Sequence, residues 1–163
     1  MKEIESLLFS LSAAPAVATQ FVRSIPETDL EVERLPGAWT IHQHISHLAH
    51  VQGMLLRRLE RFKQEERPVI SPYQPAAAGD SSPREPILGI NDALDEFSFR
   101  RSRQIAVAES MPDEYWDREG EHPEYKRYTA RILLRHILMH DYWHLYRVEE
   151  LWLARDEYVT SGY

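Results

Sequence analysis

The chain has 163 residues, 43% of them apolar and 28% charged, with a formal net charge of −7 and no cysteine. That length suffices for one domain with a substantial core, and the acidic balance excludes a general nucleic-acid binder, which needs clustered Lys and Arg to neutralise phosphate. Without cysteine there are no disulfides, zinc–thiolate sites or cysteine nucleophile; any thiol chemistry must use a thiol carried by a small molecule, and a cytoplasmic location fits.

Four helical stretches follow in chain order. The first is expected from about residue 3 to 24, ending before Pro26. Its Leu7–Ala18 portion superficially resembles a secretory leader. Glu3 and Glu5 spoil the positive flank of a leader, and Leu7, Leu8, Leu11 and Phe21 recur near helical spacing, so it reads as a helix with an irregularity at Pro15. No apolar run reaches the roughly 18 residues needed to span a bilayer.

The second helix starts at Thr40, where Thr40 and Gln43 form a capping-box pattern, and runs to about Glu66 ahead of Pro68. The third starts between Pro86 and Asn91 and reaches about Ser110, before Pro112. Its Arg100, Arg101 and Arg103 predict a solvated basic face paired with carboxylates. The fourth runs from about Thr129 to Arg155. Pro68, Pro72, Pro75, Pro83 and Pro86 make a long non-helical crossover that would let the second and third helices run parallel. Residues 111–128 form another long loop, and strand signals are almost absent. The pattern predicts an all-α, four-helix bundle with a long crossover between helices two and three, spanning residues 1–163 as one domain.

The last helix carries the chemistry. At about 100° per residue, with His140 at zero, Leu133, His144, Ile137, Val148 and Leu151 all fall within about 80°. His140 and His144 therefore interrupt the centre of an apolar stripe, one turn apart. A buried polar group without a partner costs roughly 1–3 kcal/mol, and a shared divalent metal would remove that cost. Helix two supplies more imidazoles: His42, His44, His47 and His50. On the same ruler His44 falls inside the stripe of Ile41, Leu48, Val51, Leu55, Leu59 and Phe62, His47 at its edge, and His42 on the far side. Angle favours His44 as the most inward, and periodicity does not choose between His44 and His47.

Trp39-Thr40-Ile41-His42-Gln43-His44-Ile45-Ser46-His47-Leu48, followed after a long gap by His140-Asp141-Tyr142-Trp143-His144, resembles the DinB-like superfamily. Helix order, length and both long loops agree with it. The resemblance implies a metal-binding four-helix bundle in which the His before Leu, His47, joins His140 and His144 as ligands. Where the family commonly has Glu three positions before that ligand, this chain has His44, which leaves His44 as a supporting group or an alternative ligand. Three imidazoles would leave coordination positions open, as in catalytic rather than structural zinc sites. Imidazole suits Zn, Ni, Cu and Fe; zinc and nickel lead the expectation.

Around this set, Asp141 is expected either to orient a ligand imidazole or, about 100° away on the helix, to be solvated or form an interhelical salt bridge. His136, one turn before His140, is a candidate substrate-side or supporting group, or an interhelical hydrogen-bonding one. Trp39 is expected to plug the bundle end near the site, and Tyr142, Trp143, Tyr146 and Trp152 to pack on neighbouring helices or a dimer partner. There is no Gly-rich phosphate loop, and Asp141 stands where a zincin helix has its glutamate base.

The resemblance implies a metal-dependent enzyme similar to bacillithiol- and mycothiol-dependent transferases, or to hydrolases. It would act on a small-molecule substrate, with a low-molecular-weight thiol or water activated at the metal. The other reading is a non-catalytic, stress-associated metal-binding bundle. Both are expected as homodimers, with no nucleic-acid or membrane partner.

Overall fold

The computed structural model describes residues 2–72 and 86–160. Four long helices form the bundle: α1 (Lys2–Arg23), α3 (Ile41–Gln64), α4 (Ile90–Glu109) and α5 (Ala130–Leu153). A single-turn α2 (Glu27–Leu30) lies between the first two. The expected ends hold to within about two residues because the stop signals are local. Thr40 caps α3 as a complete capping box, its hydroxyl accepting from Gln43 N–H while the Gln43 side chain accepts from Thr40 N–H. Replacing Thr40 with Ala is expected to cost about 0.5–2 kcal/mol in urea denaturation; an unchanged midpoint would show the cap to be redundant. The crossover expected between α3 and α4 is described only at its ends, and Pro75 and Pro83 lie outside the described residues.

Contacts fix the directions. Gln52 meets Arg101 and Lys63 meets Ser110, so α3 and α4 run parallel. His44 meets His144 and His47 meets His140, so α5 runs antiparallel to α3. The parallel pair is the arrangement the proline-rich crossover permits.

The apolar core is divided into two clusters. One gathers Leu11, Leu55, Leu59, Phe62, Leu133 and Ile137; the other gathers Ala18, Val22, Ile45, Leu48, Phe97 and Val148. On every long helix the break falls near the middle, and polar side chains fill it. Arg101, 1% exposed, donates to Asp141 at 2.7 Å and to Gln52 at 3.0 Å; Gln104 donates to the Gln52 side chain at 2.9 Å. This corrects the expectation of a solvated Arg100–Arg103 face: Arg101 is the charge at the centre of the bundle. Its partner Asp141 sits on another helix, beyond the reach of a local charge pattern.

Pro15 belongs to the same layer. It lies inside α1 and has no N–H to give to the carbonyl four residues back. That carbonyl, of Leu11, instead accepts from Arg101 at 3.2 Å. The irregularity expected at Pro15 is thus an acceptor exported to the neighbouring helix, without a break in α1.

The loop before α5 contains a two-residue antiparallel pair, β1 (Glu119–Gly120) with β2 (Tyr128–Thr129), and a bridge from Val69 to Glu121. Strands this short carry no alternation to read. At the other end of α5, Arg34 donates to the carbonyls of Leu151 and Ala154, satisfying a helix end that its own chain leaves open. Among the described residues, no helix is long and apolar enough to cross a membrane.

Candidate metal centre

The middle of the bundle brings His47 of α3 together with His140 and His144 of α5; a ligand nitrogen from each lies within 4.8 Å of the other two. Nε2 of His140 is 3.3 Å from Nε2 of His47 and 3.2 Å from Nε2 of His144. Two nitrogens held about 2.0–2.1 Å from one ion in tetrahedral array stand about 3.3–3.4 Å apart. Two of the three nitrogen pairs therefore stand at the separation one divalent metal requires, and three imidazoles would leave it a position open.

Nδ1 of His140 is buried without a hydrogen-bond partner among the described residues. A metal held at Nε2 would leave the ring proton on that atom, so the fit rests on the convergence at Nε2 alone.

His44 is the deepest of the α3 imidazoles, 2% exposed against 8% for His47, as its angle on the helix predicts. It does not join the convergent set. Its Nδ1 lies 2.9 Å from Nδ1 of His144, so it touches the far side of a ligand ring. Were His144 to hold a metal through Nε2, its Nδ1 would carry the proton and donate to His44, which would hold the ring and fix its tautomer. The other two α3 histidines turn outward and pin the end of the crossover: His42 to the Leu88 carbonyl at 2.6 Å and His50 to the Pro86 carbonyl at 2.7 Å.

Asp141 does not orient an imidazole. Its two oxygens go to Gln52 and Arg101, the interhelical salt bridge of the roles expected for it, and burial pushes its carboxyl up against the opposing pull of Arg101 and Gln52. Consecutive residues on a helix point about 100° apart, so His140 faces the metal centre while Asp141 faces α4. His136 lies beyond the triad, 5.1 Å from the Tyr125 ring and 5.5 Å from that of Tyr128.

Aromatic rings close the other side. Trp39 lies 5.0 Å from His47, 5.2 Å from His44 and 6.1 Å from His144, where it stacks. Trp143 stands edge-on to His144 at 4.7 Å. Trp152, expected at a dimer interface, is half-buried against Phe21 of α1 at 6.0 Å, while Tyr142 and Tyr146 are exposed.

Burial among these rings holds the imidazoles neutral. It is the leading cause that lowers His44 and His140 to about 3 and His47 to about 4, and it lowers His144 further; neighbouring imidazoles add to the effect at His44, His140 and His144, as do Arg147 at His44 and Arg101 at His140. A depressed imidazole is already deprotonated at neutral pH, so binding a metal there displaces no proton. Metal affinity is expected to stay flat from about pH 8 to pH 6 and to fall only towards pH 4, whereas ordinary histidines would lose up to about tenfold per imidazole per pH unit below their usual 6.5. Competition titration with a chelator, corrected for the chelator's own protonation, checks this; a steep loss between pH 7 and 6 would contradict it.

A cavity of about 200 Å³ adjoins the centre, with His140 on its wall together with Arg58, His122, Tyr125, Tyr128 and His136. A larger cleft, about 610 Å³, lies between α1 and α4 and is lined by none of the three imidazoles. Sequence reasoning did not find the smaller cavity, because Arg58, His122 and His136 come from three separate parts of the chain. The only advance signal was the aromatic richness of the loop before α5.

The chain is similar to a protein of Bacillus subtilis (strain 168) named "Putative metal-dependent hydrolase YfiT", 26% identical over 145 residues that cover 86% of this chain and 79% of the relative. A solved structure of YfiT from Bacillus subtilis, described as having an unusual four-helix bundle topology, matches with a TM-score of 0.75 at 23% identity over 91% of this chain and 85% of that one, which shows a shared fold. A family model described as the DinB superfamily matches residues 10–148. With that match spanning most of the sequence, the chain belongs to the DinB superfamily.

Proposed function

We propose that the protein is a metal-dependent enzyme in which His47, His140 and His144 hold a zinc or nickel ion, and water or a low-molecular-weight thiol is activated for hydrolysis or group transfer. The observation that carries this reading is the convergence of three Nε2 atoms beside a cavity that shares His140. A sealed structural site would have four protein ligands; three leave room for a reactant. The name of the Bacillus subtilis relative, a metal-dependent hydrolase, supports the hydrolytic branch. The absence of cysteine is compatible with the thiol branch, since the nucleophile would arrive with the cosubstrate.

A divalent ion in this position supplies Lewis acidity, lowering the pKa of the water or thiol it binds. The chain's own residues do the rest. His44 holds His144 in one tautomer, and Trp39 and Trp143 exclude water from the imidazole side. Among the described residues no Glu or Asp stands beside the triad in the place of a zincin base, because Asp141 is committed to Arg101. Proton removal therefore rests on the ion's acidity.

The test is turnover of a chromogenic ester, and of an electrophile with an added thiol, by protein loaded with zinc or nickel, stripped by chelator, and reloaded. Metal-dependent turnover of either substrate, absent in His144→Ala, supports the reading. Equal rates in stripped and loaded protein would overturn it. A homodimer is part of the same proposal: Met139, Tyr142, Tyr146 and Leu153 leave an exposed apolar stripe along α5. A light-scattering mass of one chain at micromolar concentration would remove that part.

A further inference from the structure

We propose that the cavity beside the triad recognises a small organic anion, with Arg58 taking the carboxylate of a ligand whose reactive end faces His140. This rests on the metal centre proposed above and names the class of ligand that reaches it.

Among the described residues Arg58 is partnered by no carboxylate, whereas Arg34, Arg61, Arg67, Arg100, Arg101 and Arg131 each are. Arg23, Arg57, Arg103, Arg118 and Arg155 also lack a carboxylate partner among the described residues; Arg58 is set apart by lining the cavity that His140 also lines. Arg58 is half-buried. Its guanidinium donates to the Ser71 carbonyl and stands near the Tyr128 hydroxyl. A guanidinium carries five N–H donors in a planar fork, so donors remain for a carboxylate, the group that fork matches best.

The rest of the wall does not cancel this charge. His122 and His136 are both held below the usual imidazole range, by burial first and in part by the Arg58 charge itself, so they are neutral near pH 7. Tyr128 is pushed up to about 12 by burial and stays a neutral phenol. Among the described residues Glu124 is the one acid on the wall, and it is exposed to solvent. The inner wall is apolar, made by Val51, Met54 and Leu55. The lining is of mixed character: His140 of the candidate metal centre, the apolar Val51, Met54 and Leu55, and the cationic Arg58 about two turns further along α3 than Val51. The cavity's volume of about 200 Å³ is below the roughly 300–1,000 Å³ that holds drug-sized ligands, which restricts the ligand to a small molecule with its anionic and reactive groups a few bonds apart.

The probes are ω-mercapto carboxylates of two to six carbons, the matching primary amides, and the same two series without the thiol. Binding to zinc-loaded protein is measured by calorimetry for the wild type, Arg58→Met and Arg58→Lys. The acid-to-amide ratio reads Arg58, and the thiol-to-desthio ratio reads the metal, so failure of one idea is distinguishable from failure of the other. At the best chain length the acid is expected to bind about 10- to 100-fold more tightly than the amide. The ratio should fall to near one in Arg58→Met and recover in part in Arg58→Lys. An acid-to-amide ratio near one in the wild type at every length, or a ratio that survives in Arg58→Met, would overturn the proposal.

Discussion

Replacing His140 with Ala is expected to strip the protein of stoichiometric metal while leaving the bundle folded. His140 is the centre of the set, the imidazole whose Nε2 stands within 3.3 Å of both others. Losing it leaves two nitrogens from different helices and should weaken binding by well over the roughly 10–100-fold that loss of a supporting partner costs. His44→Ala belongs to that milder class, because it touches only the far side of His144. Thermal melts separate metal from fold. If the ion is present at about 100 times its dissociation constant it stabilises by about 2.7 kcal/mol, or roughly 5–10 °C for a chain of this size. Chelator should lower the wild-type melting temperature by that amount and leave His140→Ala unmoved. Unchanged metal content in His140→Ala would remove the centre altogether, and unchanged content in His47→Ala would transfer the third ligand to His44.

Asp141→Ala is expected to be the most damaging single substitution away from the metal. The Asp141 carboxylate is 0% exposed, and so is Gln52 beside it. Removing the carboxylate leaves the Arg101 guanidinium buried in the centre of the bundle with only amide and carbonyl acceptors. Breaking one side of a buried pair typically costs about 3–5 kcal/mol, here a fall of about 6–20 °C. Replacing both members together, Arg101→Met with Asp141→Leu, should be less destabilising than Asp141→Ala alone, since no stranded charge remains. Urea denaturation of the two singles and the double measures the coupling. A loss below about 1 kcal/mol in Asp141→Ala, or strict additivity in the double, would show that solvent reaches the pair.

Much of the bundle was legible locally. Thr40 with Gln43, the prolines at 26, 68, 86 and 112, and the 3.6-residue stripe each act within one or two turns of helix, and they set where helices start, stop and bury a face. The histidines at 140 and 144 were legible for the same reason, since two imidazoles in an apolar stripe stand out by position alone. The β1–β2 pair was not, because two-residue strands have no period. Arg101 was misread because a run of arginines looks like a wetted face unless the acid that neutralises it, 40 positions away on another helix, is known to lie opposite. The cavity was missed on the same account, since its wall is assembled from α3, α5 and the intervening loop.

The contrast is sharpest at the third imidazole of the candidate site. Helix periodicity ranks His44 above His47 for depth, and the structure agrees on depth. Convergence with His140 and His144 follows a different quantity: which imidazole lies level with His140 once α5 is laid antiparallel on α3 at a particular rotation and height. That level is set by side chains packing between the helices, including the Arg101–Asp141–Gln52 layer. One chain segment therefore suffices to tell that His140 and His144 face inward and want a shared partner. That His47 is the nitrogen that meets them, and His44 the one behind His144, depends on how two helices pack whose facing histidines, His47 and His140, lie 93 positions apart in sequence.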